Sequence, residues 1–261
     1  MSESTITLES IIKGKQEKPV RQVVYGLDGV GKSHYMCNAD GVIVLALEDG
    51  VSEYDVPSIP LYDKVITFDD ITESLRLIYT NHKKLGIKTV GVDSLDWLEK
   101  KIFDHVCKTN KVDSIELLGF GKGYVMALSH WRTFLSGLDS LRGLGLDIIL
   151  IAHSQIVKID DPTTEAYDRH DLKLDKRVRG MVREWADFVS HAQFETHSYK
   201  AGEKFGQSVY KASTTGNRIM HTVQQPAFEA KSRVSIPSPI ALDWKTFKQE
   251  IATARKGKDG S

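Results

Sequence analysis

The chain has 261 residues, 41% of them hydrophobic and 27% charged, which fits one folded domain of ordinary to large size and excludes a wholly disordered chain. Lysine plus arginine number 35 and aspartate plus glutamate number 35, so any nucleic-acid contact must come from a local basic patch rather than a global field. Two cysteines, Cys37 and Cys107, exclude a disulfide framework and a four-thiolate zinc site.

Met1 to Pro19 is polar and carries no apolar stretch of signal-peptide length, and no run reaches the ~20 apolar residues of a membrane span. The expectation is a soluble cytoplasmic protein with reduced thiols and no membrane partner. Residues 5–13 alternate weakly, as in a short helix, and Lys13 to Lys18 reads as a polar linker. Val20 to Tyr25 is a short apolar run that ends in a glycine loop, which predicts a strand. Val42 to Leu47 is a second apolar run, long enough for a buried strand and too short for a helix; Val65 to Phe68 is a third, shorter candidate. Ile71, Leu75, Ile78 and Leu85 are spaced as one face of a helix over 70–86. Thr89 to Val92 is the next strand. Leu95, Leu98, Ile102, Phe103 and Val106 mark a helix face, and Leu128, Trp131, Leu135, Leu138 and Leu141 mark another, before the apolar strand Ile148 to Ala152.

Apolar strands separated by amphipathic helices predict an α/β fold with a mostly parallel sheet covered on both faces. From Phe188 to Val223 the pattern changes to short strands and hairpins, with Lys200–Gly202 and Thr215–Asn217 as turns. The predicted organisation is an N-terminal segment over 1–19, one core over 20–251, and a flexible tail over 252–261.

Gly26-Leu27-Asp28-Gly29-Val30-Gly31-Lys32-Ser33 fits G-x-x-x-x-G-K-[ST] and follows a predicted strand, the context this motif requires. Its glycines let backbone N–H groups turn inward as a nest for phosphate oxygens, and the helix that follows adds its positive end. Lys32 brings an ammonium to the β- and γ-phosphates, and the Ser33 hydroxyl is a ligand for Mg²⁺. Asp93, at the end of the strand after Thr89, is placed to hold the water shell of that metal, or to cap the next helix, or both. Glu48, at the end of Val42–Leu47, is the candidate that orients an attacking water, with Asp49 as its neighbour and competitor. His153, Ser154 and Gln155 follow the strand Ile148–Ala152, at the mouth of the sheet where a γ-phosphate would be sensed. His191, His197 and His221 show no ligand spacing, so no zinc site is expected.

The order of these motifs resembles the RecA-type ATPase core. The segments VDSLDWLEK (92–100), GFGKGY (119–124), IAHSQI (151–156) and REWADFV (183–189) resemble, more narrowly, the compact RecA-like ATP-binding proteins of bacteriophages in the Sak-type single-strand annealing group. The likeness runs from about Val20 to Trp244. It implies a RecA-like P-loop NTPase core with a short, β-hairpin-rich C-terminal part, binding ATP and Mg²⁺ in the cytoplasm of a bacterial host. It assigns Lys32 and Ser33 to phosphate and metal, Glu48 to catalysis, Asp93 to the metal, and His153 or Gln155 to the sensor. Lys231 and Arg233 resemble the basic pair that reaches a neighbouring subunit's nucleotide, so a homo-oligomer, ring or filament, is implied. Only Met1–Pro19 precedes the core, a candidate oligomerisation element where full-length recombinases carry a large domain.

The loop after the sensor strand lines the DNA channel in RecA-type proteins. Here Arg169 to Arg183 holds six basic residues against Asp171 and Asp175. Arg169, Lys173, Lys176, Arg177, Arg179 and Arg183 are therefore candidate phosphate contacts, with Tyr167 and His170 as stacking groups; a solvated helix face over 176–185 is the alternative. Phe120, Lys122 and Tyr124, set among glycines, form a second candidate DNA contact. The implied activity is an Mg²⁺-dependent, DNA-stimulated ATPase that binds single-stranded DNA in recombination or annealing, with a single-strand-binding protein as a candidate partner. A small-molecule or nucleotide kinase, and a non-hydrolysing ATP-gated replication adaptor or loader, are the alternatives.

Overall fold

Arg21–Gly26 forms strand β1, buried almost throughout, and it becomes the centre of the molecule because parallel strands pair on both its edges. The computed structural model describes residues 10–14, 16–63, 65–204 and 207–256, with backbone alone over 198–204 and 207–212. Around β1 lie β2 (Val42–Ala46), β3 (Ser58–Pro60), β4 (Thr89–Asp93), β5 (Asp147–Ile159), β6 (Tyr167–Leu172), β7 (Phe188–Lys204), β8 (Gln207–His221), β9 (Lys231–Ser232) and β10 (Ile240–Ala241). The sheet order is β10-β8-β7-β1-β5-β4-β2-β3, with β6 on β5 and β9 on β7. From β7 through β3 all neighbours are parallel; β8, β6, β9 and β10 are antiparallel additions. This is the mixed α/β architecture expected of a RecA-like core.

Helices cover both faces. Helices α2 (Phe68–Asn81), α3 (Leu95–Asn110), α4 (Lys122–Gly143) and α5 (Lys176–Trp185) bury Ile71, Leu98, Trp131, Leu138 and Val182 on one side. Helices α1 (Lys32–Cys37) and α6 (Trp244–Lys256) bury Tyr35, Met36, Trp244 and Phe247 on the other. Both layers leave the C-terminal ends of the parallel strands open, where ligands of such sheets bind. Among the described residues no helix is long and apolar enough to cross a membrane.

Several local expectations need correction. Val65–Phe68 is not a strand: Thr67 and Asp70 form a reciprocal capping box that starts α2 at Phe68. The short strand is instead Ser58–Pro60, which pairs with β2. Neither Lys200–Gly202 nor Thr215–Asn217 is a hairpin turn. Both lie inside strands of 17 and 15 residues, longer than the short strands expected, and both sit at register shifts that a glycine accommodates. Residues 156–180, expected as the loop after the sensor strand, instead continue the hairpin β5–β6 and enter α5. Helix α6 takes in residues up to Lys256, the first half of the expected tail. Most of the expected helix over 5–13 and the end of the tail, 257–261, lie outside the described residues.

Candidate nucleotide site

The pairing register assembles the site. Gly26 ends β1 beside His153 of β5, and Ala46 of β2 pairs with Asp93 of β4, so the phosphate loop, Glu48, Asp93 and His153 line one edge of the sheet. Gly26 has no room for a side chain: a Cβ there would lie 2.2 Å from the Ala192 carbonyl oxygen of β7. Gly31, at φ +99°, enters α1 in a left-handed conformation that favours glycine.

Lys32 is 6% exposed, and its ammonium donates to the carbonyls of Gly26 (3.0 Å) and Leu27 (2.9 Å). Burial pulls its pKa down, against the pull of Asp28 and Asp93. The Ser33 hydroxyl donates to Asp93 Oδ2 at 2.6 Å. Asp93 is buried, and its carboxyl is pushed up to about 6 by that burial and by Glu48, with Ser33 and Lys32 opposing. A Cβ on Gly50 would stand 3.5 Å from Asp93 Oδ2 and 3.8 Å from both Glu48 Cγ and Ser33 Oγ, so these groups crowd one spot. A hydroxyl and carboxylates, all oxygen donors with a buried ammonium alongside, suit Mg²⁺ carrying phosphate. Ser33 and Asp93 are the residues that would hold the metal; when bound it supplies charge neutralisation at the phosphates.

His153 stands between two carboxylates, Nδ1 at 2.8 Å from Asp96 Oδ2 and Nε2 at 3.2 Å from Asp28 Oδ1. The hydrogen bond to Asp96 raises its pKa in spite of burial. Gln155 is turned away, donating to the carbonyls of Leu172 (2.8 Å) and Leu174 (3.2 Å). Of the two sensor candidates, His153 lines the cleft. The cleft measures about 260 Å³, and Arg218 of β8 also lines it. A Cβ on Gly31 would lie 2.8 Å from an Arg218 terminal nitrogen. A bulge aims this arginine: Gly216 has φ +80°, and Glu195 accepts from Thr215 Oγ1 and Asn217 Nδ2, each at 2.9 Å.

The AAA_24 family model, described as an AAA domain, matches residues 18–234. The chain belongs to this AAA domain family. It is therefore a P-loop ATPase core. Among solved structures it is similar to a KaiC-like protein from the hyperthermophilic archaeon Pyrococcus horikoshii OT3, at 13% identity and TM-score 0.41, over 78% of this chain and 79% of that one. Comparison with curated proteins gives no match.

Other predicted residues of this AAA domain lie elsewhere. Lys231 donates to the carbonyls of Arg183 (2.7 Å), Glu184 (3.2 Å) and Ala186 (2.7 Å), closing the C-terminal end of α5. Arg233 pairs with Asp187 at 3.0 Å. Both sit near the start of β7, at the opposite edge of the sheet from the phosphate loop. Arg169 and Arg179 are consumed by buried acids: Arg169 reaches Glu229 at 2.9 Å, and Arg179 reaches Asp171 at 3.0 Å. Arg183 joins Arg169 on Glu229 at 2.6 Å. His170 stacks on His191, with ring centroids 5.2 Å apart, rather than facing outward. Lys173, Lys176, Arg177 and Lys122 remain exposed.

The sequence reading missed Asp96 and Arg218. A second acid three residues after Asp93, on the inner side of a helix start, was a usable signal for Asp96. Arg218 had none, since only the bulged hairpin brings it to Gly31.

Proposed function

We propose that this AAA domain is an Mg²⁺-dependent ATPase that binds single-stranded DNA in recombination or annealing, of the compact bacteriophage RecA-like, Sak-type group, and works as a homo-oligomer. The observation that carries the DNA reading is Phe120. Its side chain is fully exposed, at 103% relative accessibility, and its φ is +48° between Gly119 and Gly121, both also left-handed. An aromatic ring held out in water is a platform for an unpaired base. Cations surround it. Lys122 is the next residue but one, and an Arg177 terminal nitrogen would lie 3.4 Å from a Cβ on Gly121. Lys173 and Lys176 are exposed on the same stretch as Arg177 and are suited to backbone phosphates.

One helical turn links this surface to the cleft. Asp96, in the first turn of α3, holds His153, and Glu99 one turn on accepts the Asp175 N–H at 3.0 Å, at the start of α5. That connection supports DNA-stimulated turnover. In hydrolysis Glu48 orients the water, while Lys32, Arg218 and His153 face the phosphates and stabilise their developing charge. Arg218 takes, within one chain, the part that Lys231 and Arg233 were expected to play between chains.

The test is ATP turnover by wild type and Lys32→Ala, with and without single-stranded DNA, at two salt concentrations. Turnover stimulated by DNA and lost in the variant is expected. Turnover indifferent to DNA, or phosphoryl transfer to a small acceptor, would overturn the proposal in favour of an adaptor or a kinase.

A further inference from the structure

A second, larger cavity of about 870 Å³ lies at the other edge of the sheet, where β1 and β7 begin. It is built around Asp187, which is 6% exposed and pairs with three arginines: Arg142 at 2.7 Å, Arg21 at 3.0 Å and Arg233 at 3.0 Å. Lys18 and Arg255 add two more cations to the wall. Against these five stand Asp187 and Glu17, with Asp139 outside the cavity wall, 3.0 Å from Arg21.

These carboxylates do not balance the five cations. Among the described residues no carboxylate pairs with Lys18 or Arg255, whose Nη2 donates to the Lys18 carbonyl at 3.2 Å, and Arg233, more than half exposed, meets Asp187 through Nε. Burial shifts the Arg142 guanidinium down, with Asp187 opposing and Arg21 and Arg233 adding to the shift. Phe188 and Val234 supply an apolar strip on the same wall.

We propose that this cavity is a second phosphate site, for a ligand carrying two or more phosphate groups, as a nucleotide or a nucleic-acid strand does. Arginine forks bind phosphate oxygens two at a time, and the volume falls in the range of sites for molecules of nucleotide size. The site is separate from the phosphate loop: the length of β1, about 17 Å, stands between them. It does not depend on the DNA surface around Phe120.

The experiment uses the full chain carrying Lys32→Ala, so that the phosphate loop is silenced. Tripolyphosphate and a short oligothymidylate are titrated separately by calorimetry at low salt, before and after adding Arg255→Glu, and again with Arg233→Gln. Arg255→Glu leaves all three arginines on Asp187, and melting curves confirm that each variant is folded. Affinity for at least one probe should fall roughly tenfold or more in each. A fall for tripolyphosphate alone identifies a free nucleotide or polyphosphate as the ligand; a fall for the oligonucleotide identifies a nucleic-acid backbone. Unchanged affinity for both, or no saturable binding of either to the Lys32→Ala protein, would overturn the proposal. Loss of oligonucleotide binding in Phe120→Ala alone bears on the DNA surface and not on this cavity.

Discussion

The Ser33 hydroxyl donates to Asp93 Oδ2 across 2.6 Å, joining residues 60 positions apart and bringing the end of the phosphate loop to the end of β4. A buried carboxylate thus stands beside the hydroxyl, in surroundings that favour its neutral form. Its pKa rises from 3.8 to about 6 on folding, so ionisation costs stability; the cost is absent below about pH 4 and complete above about pH 6. Asp93→Asn keeps an acceptor for Ser33. It should raise the stability of the nucleotide-free protein at pH 8 by on the order of 2 kcal/mol, and abolish the extra stabilisation by Mg²⁺·ATP. Thermal melts with and without Mg²⁺·ATP check both parts.

Lys32→Ala should leave the fold intact and remove nucleotide binding. Among the described residues its ammonium bonds only to the two loop carbonyls of Gly26 and Leu27, so the protein loses little by its removal while the phosphates lose their buried cation. Titration with a fluorescent ATP analogue measures this; tight binding by the variant would contradict the site.

Arg218→Ala should slow ATP turnover by about 10²-fold, with a much smaller change in ATP affinity, because its charge faces the phosphates from a separate strand. Comparing kcat with KM gives the answer. Equal loss in both would make Arg218 a binding residue only.

The two kinds of arginine after β5 should behave differently. Arg177→Ala should weaken single-stranded DNA binding and lower the salt slope by about 0.7. Arg179→Ala should leave that slope unchanged but destabilise the fold by roughly 3 kcal/mol, because Asp171 stays buried with its close ion pair removed. Salt titrations and denaturant melts separate them.

Acid should act through His191. Burial, with His170 and His221 beside it, holds this imidazole down at about 3, against 6.5 when free. The folded state therefore binds fewer protons, and stability is lost as pH falls from 6.5 towards 3, at about 1.4 kcal/mol per pH unit. His191→Phe should flatten that part of the stability profile in denaturant melts; an unchanged acid limb would place the lability elsewhere.

What the sequence by itself determined is what is encoded by neighbours in the chain. The phosphate loop is eight contiguous residues whose glycines and lysine act through their own backbone. The strands of the parallel sheet show as apolar runs because both faces are buried, and α3 and α4 show their inner faces at helical spacing. Glu48 and Asp93 were legible because each ends such a run. Only the tertiary structure decided which charges are free. Arg169 and Arg183 look like DNA contacts until Glu229, some 46 residues beyond Arg183, pairs with both. His153 and Gln155 are equivalent on paper, and the hairpin β5–β6 takes Gln155 out of the cleft. Arg218 joins the phosphate loop through a bulge and a strand pairing. Pairing and neutralisation are long-range contacts, and a local pattern carries no record of the partner.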